Sequence, residues 1–181
     1  MLYLAFTKIR IHKSIVIRFI DEVLSNKINI MINETKIQLS LKNWLSEYFF
    51  KKTTLLVKEE VSFKVDEFRM SADLIVIQSK SNVIHGFEIK SVLNSRNLQS
   101  SIWQTYSYYT NYKWLVIPFQ KVNLFNNSLL EQIHKLGLGI ITFDENGGNF
   151  KIWKDAKYID GNFLKFLPEL ENEWVTINKI K

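Results

Sequence analysis

The sequence predicts an α/β fold in which a central mixed β-sheet is flanked by helices, and three observations carry that expectation. Three strand-like runs, "TLLVKEEVSFKV", "RMSADLIVIQ" and "VIHGFEIKS", follow one another with only "DEF" and "SKSN" between them, the pattern of an antiparallel meander. "KWLVIPF" and "LGIITF" are apolar almost throughout, as strands covered on both faces are. Helix-like segments separate these later strands, and a strand, helix, strand order implies parallel pairing.

Element by element, residues 14–25, "SIVIRFIDEVLS", carry an apolar helical stripe with Ser14 as N-cap. "INIMINETKIQLS" alternates at 28, 30 and 32 and again at 37, 39 and 41, which predicts two short strands. "SLKNWLSEYFFKK" then places Leu41, Trp44, Leu45, Tyr48 and Phe49 on one helical face, capped by Ser40. "SRNLQSSIWQTYSYYTNY" has Leu98, Ile102, Tyr106 and Tyr109 at helical spacing, a helix of about four turns. "NNSLLEQIHKLG" reads as a capped helix ending at Gly137, and "FDENGGNFKIW" as a hairpin. The expected organisation is an extension over 1–39, serving as a dimer or substrate arm, a core over 40–155, and a C-terminal extension over 156–181 packed on the core.

Composition narrows the chemistry. The 181 residues include no cysteine, which removes disulfides, thiolate metal sites and thiol nucleophiles and fits a cytoplasmic protein. The apolar N-terminus is interrupted by Lys8, Arg10, His12, Lys13 and Arg18, so neither a signal peptide nor a membrane partner is expected. The net charge of +6 suits a polyanion, although a lysine-rich solvated surface gives the same balance. Only four of the 24 cations are arginine, which favours contact with phosphates over readout of bases. No Gly-rich phosphate loop or GxSxG elbow is present, and His12, His85 and His134 have no zinc-site spacing.

One constellation stands out. Side chains alternate along a strand, so Glu88 and Lys90 share a face, and pairing through "QSKSN" brings Asp73 close to the level of Glu88. Two carboxylates held together repel, and a hard divalent cation with oxygen ligands, Mg²⁺ or Mn²⁺, relieves the repulsion. A lysine beside them orients water or stabilises charge on a phosphate.

These residues, "AD" at 72–73 and "EIK" at 88–90, resemble the PD-(D/E)xK, or restriction-endonuclease-like, nuclease superfamily, with Ala72 where the motif has proline. The likeness spans about residues 40–145, and "KLGLGIITFDENGG" looks like the last strand and turn of small DNA-repair-associated members. It implies a restriction-endonuclease-like core and Mg²⁺-dependent cleavage of DNA. Asp73, Glu88 and the Ile89 carbonyl would be metal ligands and Lys90 the active-site lysine. "QTYSY" gives Gln104 and Tyr108 the QxxxY spacing of RecB-type members, and Glu47 resembles their extra acid, with Glu59 and Glu60 as rivals. Asn97, Ser101 and Tyr108, on one helical face with Gln104, and Ser91 after the lysine are candidate nucleic-acid contacts. Cutting both strands would call for a homodimer. Two other readings stay open: a nuclease-like fold that binds nucleic acid or assembles without turnover, and an unrelated α/β domain in which Glu88 and Lys90 form a structural ion pair.

Overall fold

The structure, a computed structural model, describes residues 34–50, 53–65, 68–168 and 174–177. It is an α/β fold built on one seven-stranded mixed sheet. The strands are β1 (Leu55–Val65), β2 (Phe68–Gln78), β3 (Val83–Ile89), β4 (Tyr112–Pro118), β5 (Gly139–Phe143), β6 (Lys151–Lys154) and β7 (Val175–Ile177), in the order β6-β5-β4-β3-β2-β1-β7. The expected meander is present: β1, β2 and β3 pair antiparallel. So is the parallel part, because β4 joins β3 and β5 joins β4 in parallel.

Helices cover both faces. On one lies α1, helical from 34 to 44, with its last turn, Leu45–Phe49, wound as a π-helix. Its residues Ile37, Leu41 and Leu45 pack on Leu74, Val76, Phe87, Ile89 and Val116. On the other face α2 (Ser95–Tyr106) and α3 (Asn127–Lys135) bring Leu98, Ile102 and Ile133 onto Leu115, Ile117 and Ile140. The same face over β1 and β2 is filled by Phe63, Ile75, Ile77 and Ile84 with Tyr108 and Leu167. Among the described residues no helix is long and apolar enough to cross a membrane.

Two expectations need correction. The strand expected at 37–41 is helix, and Ser40 sits inside α1 rather than capping it. Alternation at 37, 39 and 41 suggested a strand, but Leu39 is 56% exposed while Ile37 and Leu41 are buried. The buried set is therefore 37, 41 and 45, a helical stripe. The line drawn between 39 and 40 consequently falls within one helix. The helix expected at 14–25 and the strand at 28–32 lie outside the described residues.

The second correction concerns α2, which ends at Tyr106 after 12 residues. Its start is well specified: the Asn94 side chain accepts from the amides of Arg96 and Asn97, and Asn97 reciprocates. Its buried positions are Leu98, Ser101, Ile102 and Thr105, not Tyr106, which is exposed. The Ser101 and Thr105 hydroxyls donate to the carbonyls of Asn97 and Ser101, so both polar side chains are satisfied inside the packing face. At the other end the Lys113 ammonium donates to the Tyr106 carbonyl, a cation where the helix dipole favours one.

His85 is the polar centre of an aromatic frame. Buried on β3, it accepts from Trp114 Nε1 through Nδ1 at 3.2 Å and stacks on Tyr112 with ring centroids 4.6 Å apart. Burial pushes its pKa down to about 3 from 6.5. Between those values the unfolded chain binds a proton that the folded chain does not, so the stability His85 contributes is present above about pH 6.5 and is lost as pH falls toward 3. In His85→Gln, urea unfolding followed from pH 6.5 to 4 should show stability falling less steeply than in the wild type, by about 1.4 kcal/mol per pH unit. Parallel profiles would show that His85 is not the titrating group.

Candidate active site

The sequence places an acid on each of two neighbouring strands, and the register brings them level. Leu74 pairs with Phe87, which makes Asp73 the next partner of Glu88. The backbone does not continue as a simple ladder there. Instead the Asp73 carboxylate accepts from the Ile89 amide at 2.6 Å, and its carbonyl accepts from the Gln38 side chain on α1, also at 2.6 Å. On the other side of β2, pairing with β1 runs from Glu59–Leu74 to Val61–Ala72 and skips Glu60 and Asp73. Glu60 sits at φ 49°, left-handed backbone that a residue with a Cβ adopts at a cost of about 1 kcal/mol or more. The sheet is opened between Glu60 and Asp73, and the backbone is strained at Glu60.

Glu88 has no exposed surface. Lys90 forms an ion pair with its Oε1, and the Tyr108 hydroxyl donates to Oε2. Burial, then the nearby charge of Asp73, push the Glu88 pKa up to about 7, against the opposing pull of Lys90 and Tyr108. Asp73 is raised as well, by burial first, although the Ile89 amide and Lys90 work the other way. Burial alone would lower the Lys90 pKa, yet Glu88, Asp73 and Glu34 outweigh it and hold the ammonium protonated.

Tyr108 reaches Glu88 because of a missing side chain. It lies just beyond α2, buried across β3, and Gly86 is the residue it crosses. A Cβ at Gly86 would stand 2.9 Å from Thr110 Cγ2 and 3.2 Å from the Tyr108 ring. Gln104, one turn back on the exposed side of α2, is near enough to the Tyr108 hydroxyl to oppose the upward shift of its pKa, so the QxxxY spacing brings the two side chains together.

Two acids join the cluster from other elements. Glu34, at the start of α1, accepts from the Ser91 hydroxyl at 2.8 Å and the Ser91 amide at 3.4 Å. Its charge acts on Asp73, Lys90 and Glu60. Glu60 is raised by burial first and then by Asp73, Glu59 and Glu34. The structure thus gathers Glu34, Glu60, Asp73, Glu88, Lys90 and Ser91 at the carboxyl end of β3.

It does not bring Glu47 there. Glu47 is about 13 residues along α1 from Glu34, roughly 20 Å of helix, and lines a separate cleft with Trp44 and Phe150. Glu59 points elsewhere too, paired with Lys42. Ser101 and Tyr108, read as nucleic-acid contacts, are both 1% exposed, and Asn97 spends its side chain on the helix cap and the Val92 carbonyl. Glu34 falls outside the helix that the sequence predicts from Ser40 onward. The signal was available, since Glu34, Ile37, Leu41 and Leu45 fall on one helical stripe.

The donors at the cluster are all oxygens, the set a hard divalent cation takes and zinc does not favour. Glu88 Oε1, buried and held only by its ion pair with Lys90, is the atom such an ion would take over. As they stand, no three Asp, Glu or His side chains among the described residues converge closely enough to hold an ion, so Glu88 would have to exchange Lys90 for the metal. No protein-family model matches the chain, and no curated protein matches it significantly.

Tyr108→Phe should cost roughly 1–3 kcal/mol, because it strips the buried carboxylate oxygen of its donor. Gly86→Ala should be at least as costly, since Tyr108 and Thr110 must move. Thermal unfolding of both variants without metal checks this; wild-type stability in Gly86→Ala would mean that Tyr108 does not lie where described.

Proposed function

We propose that this chain is a Mg²⁺- or Mn²⁺-dependent nuclease that hydrolyses phosphodiester bonds in DNA, built on a restriction-endonuclease-like core. The burial of Glu88 beside Asp73, with Lys90 held against it, carries this reading. A buried ion pair between isolated partners contributes little net stability, and replacing one by apolar residues is often neutral or favourable. A carboxylate with no exposed surface, a second one level with it and a strained Glu60 opposite are therefore costly features, and strain and perturbed acids concentrate at active sites.

Asp73 and Glu88, with the Ile89 carbonyl, are the residues that would hold the ion. Glu34 and Glu60 take the place of Glu47 as the additional acids. A divalent cation bound there supplies Lewis-acid stabilisation of phosphate charge and lowers the pKa of water. The protein's own part is to position and to neutralise. Lys90, kept protonated by its acidic neighbours, serves as a donor that orients water and meets negative charge developing on the phosphate, rather than as a base. Tyr108 keeps the Glu88 carboxylate turned toward Lys90. Ser91 ties the start of α1 to the same point through Glu34.

A panel of duplex, single-stranded, flapped and four-way DNA, with RNA alongside, tests this in Mg²⁺ or Mn²⁺ against EDTA. Cleavage should require the divalent ion. Asp73→Ala should abolish it, by more than the roughly 10–100-fold that losing an outer-shell partner costs, while binding persists. Undiminished cutting by Asp73→Ala would sink the assignment, and binding without cleavage across the panel would favour a non-catalytic nucleic-acid module.

A further inference from the structure

We infer that the groove at the carboxyl ends of the three parallel strands seats an unpaired nucleic-acid strand as it leaves the acid cluster; the inference rests on the nuclease reading above. β3, β4 and β5 end side by side at Ile89, Pro118 and Phe143, and the ends of parallel strands are where an open α/β sheet offers a crevice. Here that crevice has a volume of about 370 Å³. Ser91, Pro118 and Phe143 line it together with Lys36 from α1 and with Gln120 and Lys121, which follow β4. Ser91 makes the groove continuous with the acid cluster, since its hydroxyl donates to Glu34 and it follows Lys90 directly.

The chemistry of the lining is that of a strand-binding groove. Lys36 and Lys121 come from two different elements, cations suited to successive phosphates. Between Pro118 and Gln120, both of which line the groove, stands Phe119, 56% exposed. Phe119 is not itself part of the lining, but an apolar ring of that size left in water next to it is a platform on which a base leaving the groove can stack, and stacking tolerates any base. With no arginine among the lining residues, forked hydrogen bonding to base edges is not provided for. Size selects the strand. The groove falls in the range of pockets that enclose small molecules, roughly 300–1,000 Å³. A duplex, whose major groove alone is about 12 Å wide, can lie over it but cannot enter.

Asp144 and Glu145 also line the groove, and they set its limit. Asp144 is committed to its own turn, accepting from the amides of Asn146 and Gly148 and from the Asn149 side chain, with Lys36 close enough to favour its charged form. Phosphates are repelled from that turn and directed along the side formed by Ser91 and Lys121.

Fluorescence anisotropy in EDTA, where no cleavage occurs, tests the assignment with a labelled single-stranded oligonucleotide and a hairpin duplex of equal length. The wild type should prefer the single strand. Phe119→Ala should weaken single-strand binding by roughly 5- to 100-fold. Lys121→Ala should lower the slope of log affinity against log salt by about 0.7, and Lys36→Ala by less, since Asp144 already offsets part of its charge. Glu145→Gln should tighten binding, whereas Lys80→Ala, in the turn at the opposite end of β3, should leave it unchanged. Wild-type binding that the groove variants leave intact, or that Lys80→Ala weakens as much, overturns the groove alone. Absence of wild-type binding to any nucleic acid overturns the nuclease reading, and the groove with it.

Discussion

A negative charge buried in the middle of a β-sheet is the constraint around which this molecule is arranged. Glu88 belongs to β3, which has β2 on one side and β4 on the other, so water reaches it from neither neighbour. Removing a carboxylate from water is unfavourable by several kcal/mol unless charge and hydrogen bonds replace the solvent. Lys90 replaces it on one oxygen and Tyr108 on the other. Each substitute makes its own demand. Lys90 must follow two residues later on the same face, and Tyr108 must leave α2 early and lie over a glycine.

The two faces of the sheet divide the work. α1 packs on Phe87 and Ile89 and brings Glu34 to Ser91 and Gln38 to Asp73, so the acidic side of the cluster depends on how that helix docks. α2, on the opposite face, supplies Gln104 and the chain that leads to Tyr108, so the carboxylate's support depends on a different hydrophobic layer. The cluster forms only when both layers are in place. That is how a handful of polar residues on four separate elements are held in register.

Much of the fold was legible because its strands are locally specified. Alternating or continuous apolar runs, two short turns and a Gly-Gly hairpin fix β1 to β6, and α3 is bounded by Asn126 and by Gly137 at φ 73°. What was misread depended on tertiary packing. Ile37 and Leu41 fit a strand period and a helix period alike, Leu39 fits only the strand, and its exposure shows that the helix period is the one obeyed. Tyr106 and Tyr109 look like the continuation of a buried stripe, but Ser101 and Thr105 are small enough to pack with their hydroxyls bonded to the helix backbone, which turns the buried face toward them. Within the site, the shared face of Glu88 and Lys90 follows from strand alternation, and the level of Asp73 from pairing through the "QSKSN" turn. The choice of Glu34 over Glu47 follows from neither, because it requires knowing where α1 begins.

The crossing of Tyr108 over Gly86 joins two positions that are 22 residues apart in the chain through an absence and a presence. Neither residue has the same meaning without the other: a side chain at 86 displaces the ring, and loss of the ring leaves the glycine as an unfilled notch above a buried charge. Substitutions at the two sites are consequently non-additive, and over evolutionary time the pair is expected to drift together or not at all. A lineage that gave up the carboxylate at 88 would be released from both constraints at once, free to refill strand β3 with an ordinary apolar residue.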